Sequence, residues 1–592
     1  MFSFRKKTAG WTLLCAVAVA RAEFRSQQPM QVGFPVIDDN FGKYIEEMLV
    51  NHTIHGLSVG IVRPDGVIET GGWGERTESG DAFTPDTLMA VASVSKAFVS
   101  ASMGILMDDF AKGTNVTSLP PSIEVFDLET KIDALLPEDW GLDNACSENG
   151  TNVRDLLSHS TGLPDHSQSH FREESPPDIV ARLRHLRTST GLRHSWLYSN
   201  MMYMTGTHII KKYSGMSYED FVTERIFKPL GMQDSTYSPK NAEATGKFSQ
   251  SFETSGRRIP HAIDDQIAPI SAGGGGCITN VADLSRWLQM FLHQGVDPVT
   301  NKRILPQSTY DAVTSPASII PALPGFQIAP VMVYGLGWMR NTFYGMDMIW
   351  HAGAIPGVSA LAALFPEINT AVVVLANADN KSDATIAIGG QIITSIVGQL
   401  TDGQTDPEDS TASMPMQSRT AGRAQAISLM DLAGTYSDPG YGTFNLCAPG
   451  SSSSYCHDVI SNFSTVDGSL GDTPQLLAAS ARVWSSHIRF TQHSDNENVF
   501  DVRFTTLYPQ GYGKDTSPFE MMKLGEGMTT AEFVRNLQGQ VIGFGLFGVA
   551  GEVTNRMRAG GTVQERADAW MAKVPERRRP HASAGGSCQC RE

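Results

Sequence analysis

Positive charge is scarce in this chain: 46 Lys and Arg stand against 62 Asp and Glu, for a formal net charge of −16. Phosphate backbones are bound by concentrated Lys and Arg, so no nucleic acid partner is expected. The run Arg577, Arg578, Arg579 near the end is too short to change that and reads as a solvated tail. Long apolar runs are scarce near the start as well. Thr8 to Ala20 is an apolar stretch of about thirteen residues, short of the roughly 20 that a spanning helix needs, so no stable membrane span is expected. No internal repeat is present, which argues against a solenoid or propeller. Cysteine is also rare, with seven in 592 residues.

What is present suits an exported protein of two units. Arg5, Lys6 and Lys7, the apolar stretch and Ala20-Arg21-Ala22 read as a signal peptide over residues 1–22. Its loss would remove four basic residues and no acidic one, taking the charge from −16 to −20. Cys15 would leave with it. Of the six remaining cysteines, Cys447 and Cys456 flank a Pro-Gly-Ser-rich turn and are the expected disulfide, in keeping with a secreted, extracellular location. Sequons at Asn51, Asn115, Asn149, Asn380 and Asn462 fit a glycoprotein.

At 592 residues and 41% hydrophobic side chains, more than one domain is expected. Leu57 to Val62, the turn Pro64-Asp65-Gly66 and Val67 to Gly72 predict a hairpin. Leu88 to Phe110 reads as a largely apolar, buried helix. Further helices are expected around Val153 to Ser158, Pro177 to Leu186, Met201 to Tyr213 and Tyr218 to Ile226. Strand signals resume at Val331 to Arg340, Met346 to His351, Gly357 to Phe365 and Ala371 to Asn377, and Asp383 to Leu400 reads as a closing helix. Strands at both ends with helices between predict one α+β unit over residues 23–400. Residues 401–426 are polar and aperiodic, a linker. Short strand signals such as Val499 to Leu507, Phe519 to Leu524 and Val541 to Val549 make 427–575 an all-β unit, a small barrel or sandwich, before a disordered tail over 576–592.

Three groups of residues carry chemistry. In Ser93-Val94-Ser95-Lys96, residues three apart share a helix face, so the Ser93 hydroxyl and the Lys96 amine can meet. Half-burial would lower the amine's pKa and let it accept the serine proton. Ser3-Phe4-Arg5-Lys6 matches the same pattern but lies in the leader. In Tyr198-Ser199-Asn200, a phenol beside a Lys ammonium is expected to ionise below its usual value of about 10 and act as general base, while Asn200 holds a substrate carbonyl. In His351-Ala352-Gly353, a small-residue edge strand would let substrate lie close, with the Ala354 and Ser93 N–H groups forming an oxyanion hole.

These three, in this order and with these spacers, resemble the penicillin-binding-protein and class C β-lactamase family. Leu156 through Pro164 (Leu-Leu-Ser-His-Ser-Thr-Gly-Leu-Pro), Ser271-Ala272-Gly273-Gly274 and Tyr334-Gly335-Leu336-Gly337-Trp338 are similar to phrases of the same family. The likeness covers about residues 35 to 400. It implies an antiparallel sheet flanked by helices with an all-helical subdomain, a Ser93 acyl-enzyme, and no metal or organic cofactor. The third motif begins with His351 where many relatives carry Lys, as in the esterase and D-aminopeptidase-like branch. An unperturbed His is mostly neutral at pH 7.5, so an anchor for substrate carboxylates is weakened and a small-molecule ester or amide is the expected substrate.

Other readings stand beside this one. Acyl transfer uses the same acyl-enzyme, and a non-catalytic penicillin-binding-like protein would keep the fold. Gly56-Leu57-Ser58-Val59-Gly60 fits the Gly-x-Ser-x-Gly nucleophile pattern, but Ser58 falls within a hairpin strand rather than on a strand-to-helix turn. His159, His166 and His170 match no helical ligand spacing and read as solvated loop histidines.

Overall fold

The computed structural model describes residues 35–321, 331–400, 428–493, 496–522, 529–550 and 560–575. The expected leader, linker and tail, with Cys588 and Cys590, lie outside the described residues.

The first unit is built on an eight-stranded sheet. Its strands are β1 (Gly56–Val62), β2 (Ile68–Gly74), β3 (Ser318–Ile320), β4 (Met332–Tyr334), β5 (Met339–Phe343), β6 (Met346–Ile355), β7 (Val358–Phe365) and β8 (Thr370–Ala376). The order is β2-β1-β8-β7-β6-β5-β4-β3, with every neighbouring pair antiparallel. Ser58 sits inside β1, paired with Leu375 and Gly72, and is buried. The stretch expected as a single strand, Val331 to Arg340, is broken by Gly335–Trp338, where Gly337 takes φ +84° because a side chain there would press on the Lys96 and Ala97 backbone.

Strand alternation assigns each face of this sheet a layer. Val372 and Val374 face the helices α1 (Asp39–Asn51) and α6 (Ser382–Leu400), where Ile45, Ile388 and Ile392 pack. Val373 and Leu375 face the other way, onto a larger core with α2 (Lys96–Lys112) and α5 (Val281–Leu292). α5 starts where Asn280 caps Asp283 N, and Leu284, Trp287, Leu288 and Phe291 follow at helical spacing. α3 (Asn200–Ser214) and α4 (Ala268–Gly275) belong to the helical layer, α3 ending at Gly215 with φ +70°.

The second unit rolls up its own sheet: β9 (Gly434–Asp438), β10 (Gly442–Leu446), β11 (Gln475–Ala479), β12 (His487–Gln492), β13 (Val499–Tyr508), β14 (Phe519–Met522), β15 (Thr530–Arg535), β16 (Val541–Phe547) and β17 (Ala569–Lys573). The order runs β10-β9-β17-β16-β15-β13-β12-β11, with β14 beside β13. The two ends meet through paired hydrogen bonds between Cys447 and Leu477, so the sheet is nearly a barrel rather than a sandwich. Tyr436, Phe490, Phe533 and Phe544 fill it. The unit is not purely β. Helix α7 (Ser454–Asp467) covers one side, capped by Ser453, and places Cys456 against Cys447 in a disulfide. Cys146 and Cys277 are unpaired, the first exposed and the second buried.

No helix among the described residues is long and apolar enough to cross a membrane. Asn51, Asn149 and Asn380 are exposed; Asn115 and Asn462 are half-buried, with side-chain amides bonded to Thr117 O and His487 Nε2.

Candidate active site

The helix expected from Leu88 begins only at Lys96. Met89 and Ala90 form a short strand, and Ser93 lies in a 3₁₀ turn, Ala92–Ser95, ahead of α2. The cause is local: Ala92 adopts φ +46°, which a right-handed α-helix does not admit, while Val91 N bonds to Cys277 O at 2.9 Å and Ser95 Oγ accepts from Cys277 N at 3.0 Å. In a 3₁₀ turn side chains three apart nearly eclipse, so Ser93 and Lys96 still meet, with Nζ 3.1 Å from Oγ.

Gly353 also has a different use from the one expected. The end of β6 pairs only with β7, so it is a local edge, but a Cβ on Gly353 would lie 2.2 Å from Val91 O. The missing side chain makes room for the chain's own approach to Ser93, not for substrate. Ala354, the next residue, is exposed and lines the cleft with Ser93.

Lys96 Nζ is fully buried and has three partners: Ser93 Oγ, Asn200 Oδ1 at 2.6 Å and Gly274 O at 2.7 Å. The small residues of α4 make the last possible, since a Cβ on Gly273 would lie 2.7 Å from Tyr203 O and hold α4 off α3. Burial lowers the Lys96 pKa to about 7, opposed by the nearby Asp165 carboxylate. When neutral, the amine can donate to Asn200 and Gly274 and turn its lone pair to the Ser93 proton.

Tyr198 OH lies 2.7 Å from Ser93 Oγ. Its expected ionisation is reversed, because burial pushes the phenol well above its usual value. The Lys96 ammonium that was to favour a phenolate is itself only partly populated near neutrality. Tyr198 is therefore a donor to Ser93 at rest.

His351 does not face the cleft. Only 1% of it is exposed, Nε2 lies 3.2 Å from Tyr334 OH and Nδ1 2.6 Å from Ala352 O. Desolvation, then the Lys96 charge, lowers its pKa to about 3. It is neutral at all ordinary pH, and the substrate-binding role expected for its side chain has no geometric basis.

Sequence reasoning passed over three groups. His159, His166 and His170 are buried, not solvated. His159 stacks 4.5 Å from the Tyr198 ring and 4.8 Å from Tyr334, and Nδ1 accepts from Ser199 N. Asp165 follows directly after the phrase ending in Pro164, and it clamps Asn200: Oδ1 accepts from Asn200 N at 3.1 Å and Oδ2 from Nδ2 at 3.0 Å. The Asn200 amide is thus held from two sides, by Lys96 and by Asp165. Trp484, from the second unit, also lines the cleft. No cluster of three metal-binding side chains occurs among the described residues.

The Beta-lactamase family profile matches residues 41–391, more than half of the chain. The chain belongs to the Beta-lactamase family. Within that family of serine hydrolases it is 30% identical over 356 residues to unguisins hydrolase ungD' of Aspergillus campestris, a match covering 59% of this chain and 63% of that protein. It is 23% identical to the D-aminopeptidase of Gluconobacter oxydans over 58% of this chain and 59% of the relative. The chain thus spans just under two thirds of the first of these curated relatives. Among solved structures, a penicillin-binding protein homologue from Pyrococcus abyssi superimposes with a TM-score of 0.51 at 18% identity, over 90% of this chain and 99% of that one. That coverage extends the shared fold beyond the residues of the family profile. Of the three motifs expected from sequence, two converge as Ser93, Lys96, Tyr198 and Asn200, and the third puts the His351 ring 6.4 Å from that of Tyr198.

Proposed function

We propose that this chain is a secreted hydrolase that cleaves an amide or ester through a Ser93 acyl-enzyme. The observation that carries this is the placement of Ser93 Oγ between Lys96 Nζ at 3.1 Å and Tyr198 OH at 2.7 Å, with the amine near neutrality. Lys96 takes the Ser93 proton as Oγ bonds to the substrate carbonyl carbon. The oxyanion is received by the Ser93 and Ala354 N–H groups at the cleft wall. As the carbon–nitrogen or carbon–oxygen bond breaks, Tyr198 gives its proton to the leaving atom and regains one from the Lys96 ammonium. Water then enters by the reverse path and releases the acid.

Among the described residues, the cleft is lined by Asp165 and Asp379 and by no Lys or Arg. With His351 buried and neutral, a substrate carboxylate finds no cation there. A neutral ester or a peptide amide fits better, and the name of the D-aminopeptidase relative supports the amide. The Cys447–Cys456 disulfide supports export.

A fluorophosphonate probe tests the nucleophile. Wild type labels; Ser93→Ala loses labelling and several orders of magnitude in turnover, whereas Ser58→Ala keeps both. Full turnover in Ser93→Ala would remove this reading.

A further inference from the structure

Among the described residues, the second unit lines the cleft through Trp484. The turn between β11 and β12, residues 480–486, reaches the catalytic unit and puts Trp484 at the wall of the Ser93 cleft. This turn is firmly mounted. Val483 N donates to His170 O at 3.1 Å, Arg482 Nη2 donates to Tyr441 O at 2.6 Å, and the Arg482 guanidinium lies 3.8 Å from the Phe171 ring centroid.

The same catalytic-unit loop is anchored again beside Asp165. His166 Nδ1 lies 2.8 Å from Tyr441 OH and Nε2 3.0 Å from Arg187 O, and burial lowers its pKa to about 4, so the ring is neutral and keeps these bonds at working pH. Arg182 Nη1 donates to Gly440 O at 2.9 Å. The loop 165–171 is therefore fixed to the Lys96–Asn200 cluster on one side and to the barrel on the other. The same cleft is lined by Met204, Ile263, Ile355 and Pro356, all apolar, beside the polar Asp165, Ser167, Asn200, Ser271 and Asp379. A half-buried indole sharing a cleft with four apolar side chains offers dispersion contacts to an apolar group of the substrate.

We infer that Trp484 is a specificity-determining residue: the barrel supplies one wall of the substrate slot, which takes an apolar, aromatic or branched side chain flanking the scissile bond. This rests on the Ser93 reading. It gives the second unit a place in substrate selection, through a side chain in the lining of the cleft.

Three esters test it, each followed by acid release on the full chain: methyl acetate, methyl phenylacetate and benzyl acetate. They present no ring, a ring on the acyl side and a ring on the leaving side. Trp484→Ala lowers the kcat/KM ratio of at least one aromatic ester to methyl acetate by about tenfold, carried by KM, the size of effect a reshaped apolar pocket produces. Trp484→Phe restores most of the ratio. A proportional change in all three esters, or none, overturns the inference. Fluorophosphonate labelling separates the two claims: an unlabelled wild type refutes the Ser93 reading, whereas a labelled protein whose ester ratios ignore residue 484 refutes only the slot. Thermal melts of both variants show whether a loss in Trp484→Ala reflects folding, and the Phe variant, which keeps an aromatic ring in place, then decides.

Discussion

The two sheets of this chain are both antiparallel, yet they do different work because they are buried differently. In the first, β1, β7 and β8 are buried at every position, covered by helices on both faces. In the second, β13 alternates buried and half-buried residues along much of its length, as expected of a sheet curled around its own core. A doubly covered sheet can seal polar groups away from water, and beside it the Lys96 cluster lies dry and fully bonded. A barrel has an outside, and here that outside is used as a wall. The difference teaches that pKa tuning and shape selection have been placed on separate units.

The largest effect that would sharpen this contrast is on Lys96. Lys96→Ala removes the base and leaves Ser93 beside a donor only, so turnover falls by several orders of magnitude for every substrate alike. In wild type, the base form of Lys96 predominates above a pKa of about 7, so kcat/KM rises with pH through about 7 and then levels. A flat profile from pH 5 to 9 with chemistry limiting would show that Lys96 is not the base.

A smaller effect is expected at Asp165, whose negative charge raises the Lys96 pKa. Asp165→Asn removes that charge, so the rising limb moves to lower pH. Asn200 also loses its carboxylate clamp, and kcat falls by about tenfold, the scale of a lost charge-assisted hydrogen bond. An unmoved limb would mean that the carboxylate and the amine do not communicate.

The smallest effect on catalysis belongs to the barrel. Cys447→Ser with Cys456→Ser opens a short loop whose closure contributes about 2–3 kcal/mol. Thermal unfolding of the barrel moves down while the limb near pH 7 keeps its position. A shifted limb would break the proposed separation of roles.

How much of this was legible beforehand follows the same division. The hairpin, the run Ala371 to Asn377 and the closing helix were readable because period-two and period-3.6 patterns are local. Ser93, Lys96, Tyr198 and Asn200 were readable because chemistry requires those residue types at fixed spacing. His159, Asp165 and Trp484 were not, since their burial depends on segments far apart in the chain meeting. The helix Ser454–Asp467 was missed although Cys456, Val459 and Phe463 recur at helical spacing, because the Pro-Gly-Ser-rich stretch before it reads as a turn. The protonation of Tyr198 and the burial of His351 were misjudged for one reason: a sequence shows which groups are neighbours but not how dry their surroundings are.

The notch at Gly353 has a consequence for how the molecule comes into being. Val91, two residues before the nucleophile, rests in the space that a side chain at 353 would occupy, and Ala92 holds a backbone angle that an isolated chain avoids. The two partners are separated by the whole helical layer in sequence, and contacts between distant segments are slow to close. The reactive serine is therefore shaped only after β6 has been made and docked. A chain emerging from synthesis carries residue 93 long before it carries the nucleophile proposed for it.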